Sequence, residues 1–163
     1  MAGGKTGILL VQLGGPTKRE ELKGFLYRLF ADPEILGIPF APLRKAVAWA
    51  IATAREKESA KTYERIGWSP IRCWTEKSAI LLERALAPAW PGGPPLVRSA
   101  MTCSAPLVEE VLPELRAAGV TRLFVLPLYP QYSVTTTKGS FARVDEALAR
   151  MGWAPERVNA PES

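Results

Sequence analysis

No histidine occurs anywhere in the 163 residues. Its absence excludes Ser-His-Asp and Cys-His catalysis, and every histidine-ligated metal site, from this stretch of chain. Cysteine is nearly as scarce, with only Cys73 and Cys103 present. The two form neither a C-x-x-C pair nor a metal-ligand spacing, and they read as buried free thiols of a reducing compartment. No run of five or more basic residues appears. The excess of 21 Lys+Arg over 16 Asp+Glu is scattered, whereas a nucleic-acid surface would cluster cations with stacking aromatics. A basic pocket for a carboxylate-bearing substrate fits the same formal charge of +5. Long apolar runs are missing as well. Residues 8–11 are too few for the core of a secretory leader. In 35–54, Pro39, Pro42, Arg44 and Lys45 interrupt what would have to be about 20 clean residues to span a bilayer. There is no internal repeat, no low-complexity tract and no G-x-G-x-x-G.

What is present is one domain's worth of chain with a globular balance: 47% hydrophobic and 23% charged residues. Gly7-Ile-Leu-Leu-Val-Gln-Leu13 is a short continuous apolar run, as in a strand buried on both faces of a parallel sheet. Thr17 reads as a helix N-cap, completed three residues on by Glu20, with the helix running toward Phe30 and ending at Asp32-Pro33. Residues 43–66 and 74–86 are helical in character. Residues 96–101 form the second strand. Pro106 is expected to open the next helix at its first position, and Gly119 to close it. Residues 122–127 are the third strand. A polar loop, 132–138, leads to a helix ending near Gly152, and Arg157 begins a fourth strand. The alternation predicts an α/β fold, a four-stranded parallel sheet flanked by helices on both faces. Ligands of such sheets lie beyond the carboxyl ends of the strands, which directs attention to the loops 13–16, 102–106 and 128–139.

Gly3-Gly4-Lys5-Thr6 imitates the tail of a phosphate loop, but it precedes a strand instead of following one and lacks the first glycine, so it reads as an ordinary terminus. Gly14-Gly15-Pro16 stands directly after the first strand, where glycines let backbone approach a ligand or simply make a tight turn. The richest segment is Leu126-Pro-Leu-Tyr-Pro-Gln-Tyr-Ser-Val-Thr-Thr-Thr137. Its prolines stiffen a loop, its aromatic rings can lie on a flat apolar ligand, and its hydroxyls and amide can bond a polar edge. A surface loop capping the next helix would have the same composition.

The string LPLYPQYS (126–133), followed by Thr135 and Thr136, resembles the signature of the ferrochelatase family. Further islands occur in the right order: the opening GILLVQLGGP (7–16), FLYRLFADP (25–33) and YERIGWSPI (63–71). The resemblance spans nearly the whole chain and matches the first of the family's two similar α/β domains. It implies a single N-terminal-type domain over 1–163, with a hydrophobic lip near 24–54. Ferrochelatases are lyases, metal chelatases of haem and porphyrin biosynthesis that insert ferrous iron into a porphyrin. By position in the motifs, Leu13 faces the porphyrin plane, and Arg55, Tyr63 and Ser69 meet its propionates, a cation and two hydroxyls suited to carboxylates. Gln131, Tyr132, Ser133 and Thr136 line the same cleft.

The resemblance also implies that the catalytic histidine and its partner glutamate belong to the family's second half. No catalytic residue and no metal ligand is therefore assigned here, and the isolated chain is expected to have little or no activity. No permanently bound cofactor is expected. The substrates would be ferrous iron and a dicarboxylate or tetracarboxylate porphyrin. The expected partners are the porphyrin and either a second-half ferrochelatase domain or another copy of the chain, with no nucleic acid. The expected location is the cytoplasm, at most peripheral to the inner membrane. A porphyrin- or haem-binding module without catalysis is the alternative. Three places depart from the family pattern: Thr102-Cys103 stands where many members have an arginine or serine and then a tyrosine, the Gly67-Trp68-Ser69-Pro70 turn lacks part of the glycine run often seen there, and Glu58 stands where some members carry lysine.

Overall fold

The computed structural model describes residues 4–159. Four strands, β1 (Lys5–Gln12), β2 (Leu96–Met101), β3 (Val120–Pro127) and β4 (Glu156–Asn159), form one sheet in the order β2-β1-β3-β4. All three pairings are parallel, as the strand–helix alternation predicts. Six helices accompany them: α1 (Arg19–Ala31), α2 (Pro33–Leu36), α3 (Ala41–Arg65), α4 (Ile71–Leu86), α5 (Val108–Ala117) and α6 (Gly139–Met151).

The central position of β1 explains its unbroken apolar run, because both of its faces must be covered. Leu9 and Val11 point to the first face, where Leu112 and Leu115 of α5 and Val144 and Leu148 of α6 meet them. Ile8 and Leu10 point to the second face, toward Ala79, Leu82 and Leu86 of α4. A third apolar cluster stands outside the sheet. There Leu22, Phe25 and Leu26 of α1 pack on Ala52 and Ala60 of α3, whose small side chains let the two helices approach closely.

Several local expectations are corrected. Thr17 is not the N-cap that the sequence suggests: its N–H and hydroxyl both donate to the Glu21 carboxylate at 2.9 Å. Lys18 takes the N-cap position. Helix α5 starts at Val108, two residues beyond Pro106. The Pro106 carbonyl instead accepts the Met101 N–H at 2.7 Å, which ties it to the end of β2. The helix start is capped by Glu110, which accepts the Leu107 N–H at 2.7 Å. The end of the polar loop, Val134–Lys138, is a π-helical turn continuous with α6. Cys103 is buried as expected, but Cys73 lies exposed on α4. Lys5 and Thr6 belong to β1, so no phosphate loop forms there; Gly3 lies outside the described residues.

Candidate functional site at the carboxyl ends of the strands

Backbone and amide hydrogen bonds lock the ends of β1, β2 and β3 together. Gln12 does most of this. Its Nε2 donates to the Leu128 carbonyl at 2.6 Å, and its carbonyl accepts the Thr102 N–H at 2.9 Å. The Cys103 N–H donates to Leu13 O at 3.0 Å and the Leu128 N–H to Val11 O at 2.8 Å. Three loops are thereby fixed relative to one another.

The glycines after β1 are required by space. Gly14 has φ +85°, and a Cβ added there would run into the Ser104 hydroxyl and stand 3.0 Å from Met101 Cβ. A Cβ on Gly15 would strike the Ser69 side chain, 2.6 Å from Ser69 Cβ. The Gly15 N–H donates to Ser104 Oγ at 3.1 Å, and the Ser69 N–H donates to Pro16 O at 3.0 Å. The turn therefore joins the loop after β2 to the loop between α3 and α4.

Above these strand ends opens a cleft of about 590 Å³. Leu13, Thr102, Cys103 and Tyr129 line it from the strand ends, Tyr27, Arg28 and Asp32 from the end of α1, and Thr136, Ser140 and Arg143 from the turn and helix after β3. The lining is mixed, with apolar and aromatic surface beside several cations and carboxylates. Arg44 closes one side by donating to the carbonyls of Ala31 at 2.9 Å and Ile38 at 2.6 Å. Lys138 reaches Glu34 at 3.2 Å, which joins the loop after β3 to α2. Burial pushes the Tyr129 phenol up from its ordinary value, and its hydroxyl lies 3.2 Å from Ser140 Oγ. Burial pushes the Cys103 thiol up too. Both groups are held protonated at neutral pH and can donate hydrogen bonds, but neither is poised to take a proton.

The residues singled out in the sequence fall into two groups. Leu13 and Tyr63 pack against the α1/α3 cluster. Arg55, exposed on α3, lays its guanidinium 5.7 Å from the Phe30 ring centre of that cluster. Ser69 sits against the glycine turn. The other group belongs to the loop after β3. Thr136 faces the cleft. Ser133 Oγ lies 3.1 Å from Thr135 Oγ1, and Gln131 and Tyr132 are exposed at the loop tip. Only Leu13 and Thr136 line the cleft itself. Arg28, Tyr129, Ser140 and Arg143 line it without having been singled out. Tyr129 lay within the quoted motif; Arg28 and Arg143 read in sequence as ordinary helix charges.

The family model described as ferrochelatase matches residues 5–159. This chain belongs to the ferrochelatase family. It is 45% identical to the ferrochelatase of Gloeobacter violaceus over 147 residues, which is 90% of the chain and 44% of that protein. Against a Synechococcus ferrochelatase it is 45% identical over 146 residues, 89% of the chain and 42% of the relative. The chain thus spans less than half the length of these relatives.

The departures from the ferrochelatase pattern have a structural context. Trp68 adopts φ +70°, a left-handed conformation that glycine takes most easily. It is held there by the Trp68 N–H donating to Tyr63 O at 2.9 Å and by stacking on the Tyr63 ring at 6.1 Å, 7° from parallel. Thr102 and Cys103 place a small hydroxyl and a thiol at the cleft, where larger side chains would fill it. Glu58 points to solvent and pairs with Lys61 at 3.3 Å.

Proposed function

We propose that this chain forms one porphyrin-binding wall of a ferrochelatase, an enzyme of haem biosynthesis that inserts ferrous iron into a porphyrin. The observation that carries the reading is the cleft at the strand ends, because the two segments most like the family motifs, the loop after β1 and the loop after β3, meet there at Leu13 and Thr136. A porphyrin is flat and apolar with carboxylates at its edge. Leu13, Tyr63 and the aromatic cluster behind them would receive the ring face. Arg55 has no carboxylate partner among the described residues, so its cation is free for a propionate, with Ser69 and Tyr63 as hydroxyl donors. Gln131, Tyr132, Ser133 and Thr136 would close over the opposite edge. Phe40, Leu43 and Trp49 are 65%, 53% and 59% exposed around the start of α3, which supports the assignment of a hydrophobic lip beside the cleft. No helix among the described residues is long and apolar enough to cross a membrane; the lip offers at most a peripheral contact.

Metallation releases two pyrrole protons as iron enters the ring, and these need an acceptor. Tyr129 and Cys103 are protonated and unsuited to that task, and the chain has no histidine. The chain therefore binds and orients porphyrin, and the proton acceptor comes from a second-half domain. An anaerobic assay with ferrous iron and porphyrin tests this, with and without a second-half ferrochelatase polypeptide. Turnover only with that polypeptide is the expected result. Turnover by the chain alone would overturn the division of labour. Tight porphyrin binding without turnover in either case would favour a carrier.

A further inference from the structure

The charges around the cleft do not cancel one another. Among the described residues, Glu109 is held by Arg143 at 2.8 Å and by Arg150 at 3.7 Å, and Glu34 by Lys138 at 3.2 Å. Asp32 is engaged at the start of α2, where its Oδ1 accepts the Glu34 N–H at 2.8 Å. Glu146 stands on the α6 wall, where helical spacing sets it beside Arg143 and Arg150. Arg44 is committed to the carbonyls of Ala31 and Ile38. Two cations of the lining are left over. Arg28, in the last turn of α1, and Lys45, near the start of α3, are exposed and meet no carboxylate among the described residues.

These two cations stand apart from Arg55. Neighbouring residues of an α-helix lie about 100° apart around its axis, so Arg28 and Phe30 face nearly opposite flanks of α1. Arg55 lies over the Phe30 ring, 5.7 Å from its centre; Arg28 belongs to the other flank. Lys45 precedes Arg55 on α3 by about 15 Å of helix, at about 1.5 Å of rise per residue. That is the scale of a tetrapyrrole measured from the acids of one edge to those of the other. Leu13 packs on the α1/α3 cluster and also lines the cleft, so a ring lying on it reaches both flanks. Burial raises the Cys103 thiol, and the charges of Arg143 and Arg28 pull against it. The charge of Arg28 therefore acts on the floor of the cleft.

Porphyrins of different acidity would fare differently between these flanks. A dicarboxylate porphyrin carries both acids on one edge, and with that edge at Arg55 its other edge is hydrocarbon. Hydrocarbon laid against Arg28 and Lys45 strips water from two charges and returns no partner. A tetracarboxylate porphyrin brings acids to that edge, and each can accept a charge-assisted hydrogen bond.

Building on the porphyrin reading above, we propose that Arg28 and Lys45 form a second carboxylate subsite, across the ring from Arg55 and Ser69, which selects a tetracarboxylate over a dicarboxylate porphyrin.

The test titrates both porphyrins into the chain, in a non-ionic detergent that keeps them monomeric, and follows their absorbance. The tetracarboxylate should bind at least about tenfold more tightly. Arg28→Gln and Lys45→Gln should each lower its affinity by about three- to tenfold, and the double variant should erase the preference, with dicarboxylate affinity kept within about twofold of the parent. Both side chains are exposed and without an ion pair, so the variants should melt with the parent. Lys77→Gln, on α4, removes the same charge away from the cleft and should leave both affinities unchanged. Equal affinity of the parent for the two porphyrins would overturn the proposal. So would a preference that survives the double variant, an equal loss for both porphyrins in Arg28→Gln and Lys45→Gln, or the same loss from Lys77→Gln. Dicarboxylate binding that Arg55→Ala weakens, with no preference for the tetracarboxylate, would sink the subsite and leave the porphyrin reading standing. No binding of either porphyrin would sink both.

Discussion

At the end of β1, Gly14 and Gly15 leave no room for one more carbon atom, while on the second face of the sheet Phe124, Leu126 and Leu128 lie half-buried with no helix above them. The two regions adjoin where Gln12 Nε2 donates to the Leu128 carbonyl, yet they are expected to tolerate change very differently. The turn is crowded because it joins three loops that must hold fixed positions around a cleft. The open strip is looser because its side chains are only half-buried. Tight construction thus marks where the loops around the cleft are aligned, and half-buried apolar surface marks where a change of side chain is more easily absorbed.

The largest effect is expected in the crowded turn. Gly14→Ala combines a left-handed backbone with an overlap on Ser104, and should cost about 2–5 kcal/mol in a urea titration. Ser104→Gly in the same chain should recover part of the loss. A cost below about 1 kcal/mol would break the contrast.

On β3 the comparison can be made within one strand. Leu123→Ala should cost about 2–5 kcal/mol, because Leu123 is 0% exposed in a closed core. Leu126→Ala on the other face should cost less than half as much. Equal losses would mean that the second face is already complete.

A smaller effect is expected at Trp68. Glycine there relieves about 1–2 kcal/mol of backbone strain and forfeits a ring stack of about 0.5–1.5 kcal/mol. Stability should move by less than about 1 kcal/mol in either direction, while Tyr63 loses its stacking partner and gains mobility, readable in its fluorescence.

The smallest effect concerns Glu21. Its partial burial favours the neutral acid, but the Thr17 N–H and hydroxyl outweigh this and hold its carboxyl below the ordinary glutamate range. A lowered value stabilises the fold above that range, and the stabilisation is lost as pH falls through the lowered value. Thr17→Ala keeps the backbone N–H and loses the hydroxyl, so it should shrink this acid dependence and lower stability at neutral pH by about 0.5–1.5 kcal/mol. An unchanged acid limb would refute the role of the Thr17 hydroxyl.

Much of the fold was readable from local pattern. The run at 8–11 needed burial on both faces, and the spacing of later runs with helices between them required a parallel sheet. Helix starts were less legible. Pro106 suits a first helical position, but its carbonyl is held by the edge of β2, a tertiary bond that the local sequence does not signal. Thr17 and Glu20 have the spacing of a capping box, but the chain enters α1 one residue later, with Lys18 as N-cap and Thr17 bonded to Glu21. Cys73 was misplaced because a lone thiol has no periodic partner to reveal its side of the helix. At the site, the segments were legible and individual residues were not. The motifs located the loops after β1 and β3. Arg28 and Arg143 reach the cleft from helix faces that in sequence look like solvated surface.

Titration of a dicarboxylate porphyrin into the chain, followed by its absorbance, tests the central claim most directly. The parent should bind, weakly because one face of the ring stays in water. Arg55→Ala and Ser69→Ala should each weaken that binding by about tenfold, the loss of one charge-assisted hydrogen bond. No binding by the parent, or parent-like binding by both variants, would contradict the account.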